Sequence, residues 1–384
     1  MRVLIVGAGI AGLAAARGMI AAGHEVTVLE RAPELRDGGC ALVLWHNGTA
    51  ILGDLGVRLD GTGQRIEAID VRSARGRPAM VVDTAQLEAR FGSPTMVIPR
   101  RSLIARLAEG LPEGTVRFGA RFARLHDDGR SVRVEAQDGA EYSGDLLIGA
   151  DGVNSQVRTA LFGPGPGTEA RLTGAATWQG LIPAPFEIGP RALLFLGREG
   201  GVGMNPAGDG MLQWLIDLRW RPTDGVDSPE RALAALRETY AGWAPPVREL
   251  LAALSEKDLE FFPHRRHHAP LHWHRGRCAL IGDAVHAMPP ILAQGAGQAL
   301  EDVAALLRGL DAEHDPAAVL SAYENGRRRQ AVLAATAATQ GIATSGPRTL
   351  GQSEAALRMS SAGMPKNMVT WMFGKLIRGV SGRL

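Results

Sequence analysis

The stretch Val3-Leu-Ile-Val-Gly-Ala-Gly-Ile-Ala-Gly12 decides the fold class. Its first four residues form a short, wholly apolar run, which is typical of a strand buried on both faces of a sheet. Three glycines with the spacing GxGxxG follow, and the Ala-rich residues 13–22 have a helical pattern that Gly23 is placed to end. Strand, glycine turn and helix in this order predict a Rossmann-like α/β fold with a parallel sheet.

The glycine turn and the acid that follows it predict a dinucleotide site. Gly7 permits the tight turn, Gly9 lets the backbone approach a pyrophosphate, and Gly12 lets the helix pack closely. The free N–H groups at the start of the helix would face the phosphates. Residues 24–29 predict a second strand, and Glu30 at its end is placed to bond a ribose 2′-hydroxyl, which argues against NADP at this site. The ordered set argues against a βαβ unit without a ligand.

Composition places the chain among ordinary globular proteins. It has 384 residues, 45% of them apolar and 21% charged, and a net charge of +2 that calls for no nucleic-acid partner. The two cysteines, Cys40 and Cys278, are too few for a disulfide framework or a zinc cluster, and we find no metal-ligand spacing. We expect no signal peptide and no transmembrane helix. These features predict a cytoplasmic protein.

The composition and the residue pattern of the sequence change twice along the chain. Between 165 and 270, Gly and Pro are frequent and short alternating runs predict a mostly antiparallel sheet, at 174–182, 191–197 and 211–218. One helix is predicted near 229–240 in this part. Residues 277–283 predict a buried strand like those of the first 165 residues, and 294–340 is largely helical in pattern. We therefore predict a discontinuous dinucleotide domain, an inserted substrate domain and a C-terminal helical segment, with bounds at 1–165 with 271–340, at 166–270 and at 341–384.

A second glycine-rich turn lies in residues 277–302, RCALIGDAVHAMPPILAQGAGQALED. A buried strand ends at Gly282-Asp283, a proline-containing loop follows, and residues 294–297 open a helix. A third motif, GADGVNSQVR, occupies 149–158. Together with GAGIAG at 7–12, these motifs resemble the aromatic-hydroxylase class (class A) of single-component FAD-dependent monooxygenases, the group that includes para-hydroxybenzoate hydroxylase. They occur in that family's order and spacing.

The resemblance implies that the dinucleotide is FAD and assigns residues to it. Asp283 would bond the ribityl or phosphate side of FAD, Pro290 would lie beside the reactive flavin carbon, and Arg158 belongs to the second motif. Arg101 is the alternative to Arg100 if the register differs by one. The implied cofactor-binding residues are Gly7, Gly9, Ala11, Gly12, Glu30, Arg31, Arg100, Asp151, Asp283, Gly295, Ala296 and Gly297. Where many members have an Asn, this chain has Gly297, which leaves one flavin or substrate contact open.

The resemblance also implies a reaction. NADPH or NADH reduces FAD, the reduced flavin reacts with O₂ to give a C4a-hydroperoxide, and an electron-rich aromatic or polycyclic substrate takes up its distal oxygen. A base that deprotonates a phenol would assist. His46 and His286 are the candidates for this base, and Pro290 is the other residue assigned to catalysis. For the substrate pocket we expect residues on the strands of the inserted sheet: Trp178, Met204 and Gln213.

Other outcomes remain open on the sequence alone. The same fold could catalyse epoxidation or oxidative decarboxylation, or could bind flavin without oxygenase activity, and a plain NAD-dependent dehydrogenase is a further rival. The amphipathic stretch 366–378 is expected to lie across the substrate domain, with binding to a membrane surface as the lesser alternative. We expect a monomer or a dimer.

Overall fold

The computed structural model describes residues 1–35, 38–165, 167–226, 228–267, 272–312, 315–344 and 366–382. The predicted segment 341–384 therefore lies partly outside the described residues. Its helices are α1 (Ile10–Ala21), α2 (His46–Asp54), α3 (Thr84–Phe91), α4 (Arg100–Ala108), α5 (Gln156–Phe162), α6 (Pro229–Thr239), α7 (Pro245–Ala253), α8 (Asp283–His286), α9 (Gly295–Ala312), α10 (Pro316–Thr344) and α11 (Lys366–Val380).

The strands fall into four sheets within the described ranges. They are β1 (Arg2–Val6), β2 (Glu25–Glu30), β3 (Ala41–Leu44), β4 (Gln64–Ile66), β5 (Ala68–Ser73), β6 (Pro78–Asp83), β7 (Thr95–Pro99), β8 (Val116–Phe118), β9 (Phe122–Asp127), β10 (Val132–Ala136), β11 (Glu141–Gly144), β12 (Leu146–Gly149), β13 (Arg171–Pro183), β14 (Arg191–Leu196), β15 (Gly201–Pro206), β16 (Met211–Arg219), β17 (Glu260–Arg266), β18 (His274–Arg275) and β19 (Cys278–Leu280). The predicted α/β class with parallel and antiparallel sheets and C-terminal helices is confirmed.

The parallel sheet has the strand order β18-β19-β12-β1-β2-β8 and is parallel throughout except where β18 joins β19. Strand β1 lies between β2 and β12, so the carboxyl ends of these strands meet at one edge, with Val6 beside Leu29 and Gly149. Its apolar residues pack with α1, α9 and α10 in one core. Ligands of such sheets bind at this edge, where the strand order reverses.

A second sheet, here called the cavity sheet, has the order β17-β13-β16-β15-β14-β5-β6 and is antiparallel except between β14 and β5. Strands β5 and β6 come from residues 68–83, which precede the predicted insertion. The sheet therefore draws on both predicted segments, because β5 pairs with β14 and β6 pairs with β5, and both of these strands come before residue 165.

Helices α6 and α7 cover the outer face of the cavity sheet and enclose a separate core there. The sequence predicted α6 but missed α7, whose apolar residues Val247, Leu250 and Leu251 recur at helical spacing and are buried. Helix α11 packs against β6, α3 and α10. Among the described helices, none is both long and apolar enough to cross a membrane.

Candidate active site

A cavity of about 1880 Å³ separates the carboxyl edge of the parallel sheet from the inner face of the cavity sheet. This volume is about twice that of an ordinary pocket for one drug-sized ligand. We call its two sides the glycine wall and the sheet wall. The glycine wall comprises Gly7, Gly9, Ala11, Glu30, Arg31, Arg100, Asp151, Asp283, Pro290, Gly295 and Ala296. The sheet wall comprises Thr173, Thr177, Gln179, Gly203, Asn205, Gln213, Leu215, Asp217 and His264.

The first glycine turn has the conformation that the sequence predicts. Gly7 has φ of +105°, and a Cβ on it would lie 2.5 Å from the carbonyl oxygen of Ala150, so only glycine fits between the first and second motifs. A Cβ on Gly12 would collide with the Gly7 carbonyl, whereas a Cβ on Gly9 would meet no protein atom within 4 Å and would enter the cavity. The backbone at Gly9 is therefore open to a ligand.

Glu30 ends β2 and closes the turn from the other side. Its Oε2 accepts a hydrogen bond from the N–H of Ala8 (2.8 Å), and its Oε1 accepts one from the N–H of Ala32 (2.9 Å). Both bonds hold the carboxylate at the rim of the cavity beside Arg31. Each oxygen keeps a lone pair that a ligand hydroxyl could use.

Asp151 of the second motif caps α5 and also faces the cavity. Its Oδ2 accepts hydrogen bonds from the N–H groups of Gln156 (2.7 Å) and Val157 (3.1 Å), while its buried Oδ1 has no partner among the described residues. Burial raises the pKa of Asp151 against these hydrogen bonds. Arg158 does not reach the cavity: it is buried, donates to backbone carbonyls, and burial lowers its pKa to about 10. Arg158 therefore holds the second motif in place from the side that faces away from the cavity.

Asp283 lies at the turn after β19, with its carboxylate open to the cavity. Loss of solvation at this position raises the pKa of the Asp283 carboxyl, while the charges of His286 and Arg100 oppose that change. The turn is fixed by Asp302, whose Oδ2 accepts from the Gly282 N–H (2.8 Å) and lies 2.6 Å from His286 Nε2.

Arg327 completes this buried network by donating from Nε to Asp302 Oδ1 at 3.0 Å. Burial opposes ionisation of Asp302, yet His286, Arg327 and the Gly282 N–H hold its pKa below the usual value. The sequence did not reveal Asp302 or Arg327. The available signal was a charged residue on the apolar face of each predicted helix.

The structure shows which residue of the Arg100-Arg101 pair, and which residues of the second glycine turn, face the cavity. Arg100 lines the cavity, and the exposed Arg101 does not. Gly295 and Ala296 line it too, but Gly297 faces α2, where a Cβ would lie 3.6 Å from the Nδ2 of Asn47. Asn47 is buried, donates to Glu301, and keeps an unpartnered Oδ1 among the described residues. An amide thus occupies the space next to the glycine.

The structure contradicts both histidine candidates for the catalytic base, because neither lines the cavity. His46 is fully buried, with Nδ1 2.6 Å from the carbonyl oxygen of Ser93 and Nε2 3.3 Å from the hydroxyl of Thr95. Burial lowers its pKa. His286 is held in the Asp302 network. Pro290, the other predicted catalytic residue, does line the cavity.

Of the three predicted substrate residues, only Gln213 lies on the sheet wall. Its Nε2 donates to the carbonyl of Ala41 at 2.5 Å, and its Oε1 accepts from Asn205 at 3.0 Å. Trp178 and Met204 are corrected: they point to the opposite face and pack in the core under α6 and α7. Side chains alternate along a strand, so a choice of the wrong phase moves a residue to the other face.

The sheet wall also holds three polar residues that the sequence analysis did not assign to the site. The hydroxyl of Thr177 lies 2.5 Å from Asp217 Oδ1 and 2.6 Å from His264 Nε2. Burial raises the pKa of Asp217 to about 6 and lowers that of His264 to about 4. These residues belong to adjacent strands, β13, β16 and β17. Polar residues in alternation with large apolar ones were the available signal.

The glycine wall fits a dinucleotide with a flavin. The open space at Gly9, the unpartnered Asp151 Oδ1 and two helix N-termini all meet at one side of the cavity. Neither α1 nor α9 has an acidic residue in its own first turn, so the first-turn N–H groups of these helices remain favourable for an anion. The chemistry suits phosphates near α1 and an electron-rich ring near α9.

Comparisons with known proteins agree with this site. A family model described as an FAD binding domain matches residues 1–338. The FAD-dependent urate hydroxylase of Klebsiella pneumoniae is 32% identical over 342 residues, which cover 85% of this chain and 86% of that protein. A 3-amino-4-hydroxybenzoate 2-monooxygenase of Streptomyces platensis is 34% identical over 349 residues, which cover 85% and 84%.

Solved structures give the same result. The crystal structure of Klebsiella pneumoniae HpxO complexed with FAD and uric acid superposes with a TM-score of 0.91 at 28% identity and covers 99% of this chain and 97% of that one. The matched family model spans most of the chain, and the matched relatives are FAD-dependent hydroxylases and monooxygenases. This chain therefore belongs to the class A FAD-dependent monooxygenases, the family of para-hydroxybenzoate hydroxylase.

Proposed function

We propose that this enzyme hydroxylates an aromatic or polycyclic small molecule, with NADPH or NADH and O₂ as co-substrates. The observation that carries the proposal is the pairing of two unlike walls across one cavity. The glycine wall offers backbone N–H groups and carboxylates, and the cavity sheet offers the polar groups of the sheet wall beside apolar side chains of β5, β6 and β14, among them Ile69, Val82 and Leu194. A planar organic ring suits the second surface.

The glycine wall would hold FAD along its length. The turn at Gly7 and Gly9 with the start of α1 would bind the pyrophosphate, and Glu30 with Arg31 would bind the adenosine ribose. The ribityl and phosphate groups would contact Arg100, Asp151 and Asp283. When bound, FAD accepts a hydride from the nicotinamide and, once reduced, activates O₂ for transfer of one oxygen atom.

The flavin ring would lie between the 290–296 loop and the sheet wall. Pro290 and the backbone of Gly295 and Ala296 line this part of the cavity, and the N–H groups that begin α9 would stabilise negative charge on the ring. Trp45 closes one side, because its Nε1 donates to the carbonyl of Leu292 (3.1 Å) and its ring packs on Phe373 (5.1 Å between centroids). These aromatic side chains would limit the access of water to this part of the cavity.

The substrate class follows from the sheet wall and from the relatives. The relatives act, by name, on urate and on 3-amino-4-hydroxybenzoate, both of them planar rings with several hydrogen-bonding groups. A ring of this kind would find donors and acceptors at Gln179 and Asp217 on the sheet wall. Gln213 is less available, since its amide is already bonded at both ends.

A second candidate reaction is epoxidation. The chloroplastic zeaxanthin epoxidase of Nicotiana plumbaginifolia is 34% identical over 330 residues, which cover 81% of this chain and 48% of that protein. An epoxidase needs no base for a phenol, because it transfers oxygen to a carbon–carbon double bond. Oxidative decarboxylation and a flavin-binding role without oxygenase activity are the remaining alternatives, and product analysis separates them.

The test begins with purified protein that carries FAD. Urate, 3-amino-4-hydroxybenzoate, 4-hydroxybenzoate and a carotenoid are each added with NADPH or NADH, while nicotinamide oxidation, O₂ uptake and product mass are measured. We expect a ring compound to stimulate nicotinamide oxidation with a product heavier by one oxygen atom. Loss of a carboxyl group from the product would identify decarboxylation, and reaction with the carotenoid alone would identify epoxidation. No stimulated oxidation by any compound would contradict the proposal.

Two further proposals concern the protein's state. Cys40 and Cys278 are both buried free thiols, and burial raises the pKa of Cys40 to about 11, which suits a protein of the reducing cytoplasm. We propose a monomer or a dimer, and sedimentation at several protein concentrations distinguishes them.

A further inference from the structure

Asp217, Thr177 and His264 form a chain of hydrogen bonds on the sheet wall that binding of FAD does not use. Their side chains lie on one face of the neighbouring strands β16, β13 and β17. All three line the cavity. Among the nine residues that make up the sheet wall, Asp217 carries the one carboxylate. It faces the space between the glycine wall and the cavity sheet.

The direction of the hydrogen bonds follows from the number of protons. The Thr177 hydroxyl has one proton and lies within bonding distance of two atoms, the acceptor Asp217 Oδ1 and the ring nitrogen Nε2 of His264. His264 is fully buried, and burial lowers its pKa to about 4, so its ring is neutral near pH 7. The arrangement that satisfies both contacts has His264 Nε2–H donating to Thr177, which donates to Asp217.

This arrangement leaves one oxygen of Asp217 available. No described residue donates to Oδ2, and the side chain keeps 24% of its surface accessible, on the cavity side. Its titratable neighbours include His264, 3.9 Å from Oδ1, and Tyr240, whose pKa is raised by burial and by the charges of Glu199 and Asp217. Burial raises the pKa of the Asp217 carboxyl to about 6, and the Thr177 hydrogen bond opposes that change. The carboxyl is therefore poised for proton transfer near neutral pH.

We propose that Asp217 is the catalytic base of this enzyme and accepts a proton from an acidic O–H or N–H group on the substrate ring, with Thr177 and His264 as positioning residues. The inference rests on the proposed hydroxylation and names the substrate class of that site: rings with a phenolic hydroxyl or an acidic ring N–H.

The proton transfer is balanced within the pair. The substrate O–H or N–H bond breaks, its electron pair stays on the ring, and the proton forms a new bond to Asp217 Oδ2. The ring anion is a better nucleophile at its carbon atoms than the neutral ring. The proton on Asp217 then leaves to water through the open side of the cavity, which restores the carboxylate.

The experiment uses FAD-loaded enzyme and three pairs of probes. Each pair has a ring with a free donor and its methylated partner: 4-hydroxybenzoate with 4-methoxybenzoate, 3-amino-4-hydroxybenzoate with its methyl ether, and urate with its N-methylated form. The dissociation constants come from the change in flavin absorbance on binding. For the pair with the strongest donor preference we expect about a tenfold preference for the free donor, reduced to about twofold in Asp217→Asn.

The pH dependence separates a catalytic role from a structural one. With the preferred probe, the rate of substrate-stimulated nicotinamide oxidation should decrease as the pH is lowered through an apparent pKa near 6. This decrease, here called the limb of the pH profile, should be absent in Asp217→Asn. Thr177→Val removes the donor that lowers the pKa of Asp217, so the limb should move to higher pH. Thr177→Ser keeps the hydroxyl and should restore the wild-type profile. His264→Gln should move the limb in the same direction as Thr177→Val.

The outcomes are distinguishable. If a ring compound is hydroxylated but Asp217→Asn keeps the donor preference and the pH limb, the base is not Asp217 and the proposed function stands. If the probes bind with an Asp217-dependent preference and no oxygen is transferred, the recognition stands and the proposed function fails. If none of the six compounds binds, the substrate class is wrong and the inference falls. Flavin content, measured for each variant, reports any loss of fold.

Discussion

The two walls of the cavity are built by different principles. The glycine wall consists of turns and helix starts at one edge of a parallel sheet, where backbone groups and carboxylates converge over a few residues each. The sheet wall is one face of an antiparallel sheet. Every second residue of a strand faces the cavity there, and the neighbouring side chains come from distant parts of the chain. The first wall fixes what all members of the family bind, and the second is free to vary with substrate.

The energetics of the walls differ as well. Behind the glycine wall lies the buried Asp302 network, with side chains of Asp302, His286 and Arg327 at most 1% exposed. Behind the sheet wall lies an apolar core with Trp214 and Met204 at 0% exposure. Damage to the first wall should therefore appear as an uncompensated charge, and damage to the second as a packing defect.

The largest effect is expected from Asp302→Asn. The change leaves Arg327 buried without its charge partner, and breaking such a pair typically costs about 3–5 kcal/mol of the free energy of unfolding. Chemical denaturation measures the loss. Asp60→Asn is the matched control, because Asp60 pairs with Arg58 at the surface, with the two side chains 79% and 85% exposed, and should cost less than about 1 kcal/mol. Equal losses in the two variants would show that the network does not support the glycine wall.

Met204→Ala tests the two faces of the cavity sheet. The cavity left in the core should lower the free energy of unfolding by about 2–5 kcal/mol, while the dissociation constant of a bound ring compound changes little. Gln179→Ala, on the cavity face, should do the reverse: stability stays close to wild type and ring binding weakens severalfold. Denaturation and flavin-absorbance titration measure both quantities. A large effect of Met204→Ala on binding with no effect on stability would return Met204 to the substrate pocket.

The predicted residues of the glycine wall line the cavity together, because their determinants are local. Gly7, Glu30, Asp151 and Asp283 each follow a strand whose apolar run is visible, so their place at the sheet edge follows from topology. Arg100 was predicted with Arg101 as the alternative register, and Arg100 is the one that lines the cavity. Glu301 and Asp302 escaped notice, because burial of charge within a helix depends on partners that are distant in sequence.

The sheet wall was predicted poorly because the phase of a strand does not say which face is the core. Trp178 and Met204 were chosen for their size, yet large apolar residues in one phase mark the face that α6 and α7 cover. The opposite phase of β16 reads Gln213, Leu215 and Asp217, and its polar members mark the cavity. Strands β5 and β6 could not be assigned to this sheet from the sequence, since the pairing of β5 with β14 spans more than a hundred residues of chain and β6 joins the sheet through β5.

A smaller effect is expected at Gly9, where the glycine wall is open. Gly9→Asp places a carboxylate in the space meant for phosphate groups and should weaken FAD binding at least about tenfold, or 1.4 kcal/mol. The fold should persist, because a Cβ at this position meets no protein atom. Flavin content after dialysis measures the effect. Gly242→Asp is the control, since its Cβ also meets nothing within 4 Å and the residue is exposed far from the glycine wall. Normal flavin content in Gly9→Asp would place the pyrophosphate elsewhere.

The smallest effect concerns the pH dependence of stability that Asp217 gives to the sheet wall. Its pKa is raised in the folded state to about 6 from 3.8, so the folded protein holds this proton more tightly than the unfolded chain. The stabilisation is complete below about pH 4 and is lost as the pH rises through 6.

Asp217→Asn removes this dependence. Relative to wild type, the variant should gain about 1 kcal/mol in free energy of unfolding on going from pH 4 to pH 7, an amount reduced because water in the cavity screens the carboxylate. Denaturation curves of both proteins at several pH values measure the difference, and Asp138→Asn, at an exposed turn, is the control. A difference that is constant across this range would mean that Asp217 ionises at its usual pH, and the sheet wall would then recognise substrate by shape and fixed hydrogen bonds alone.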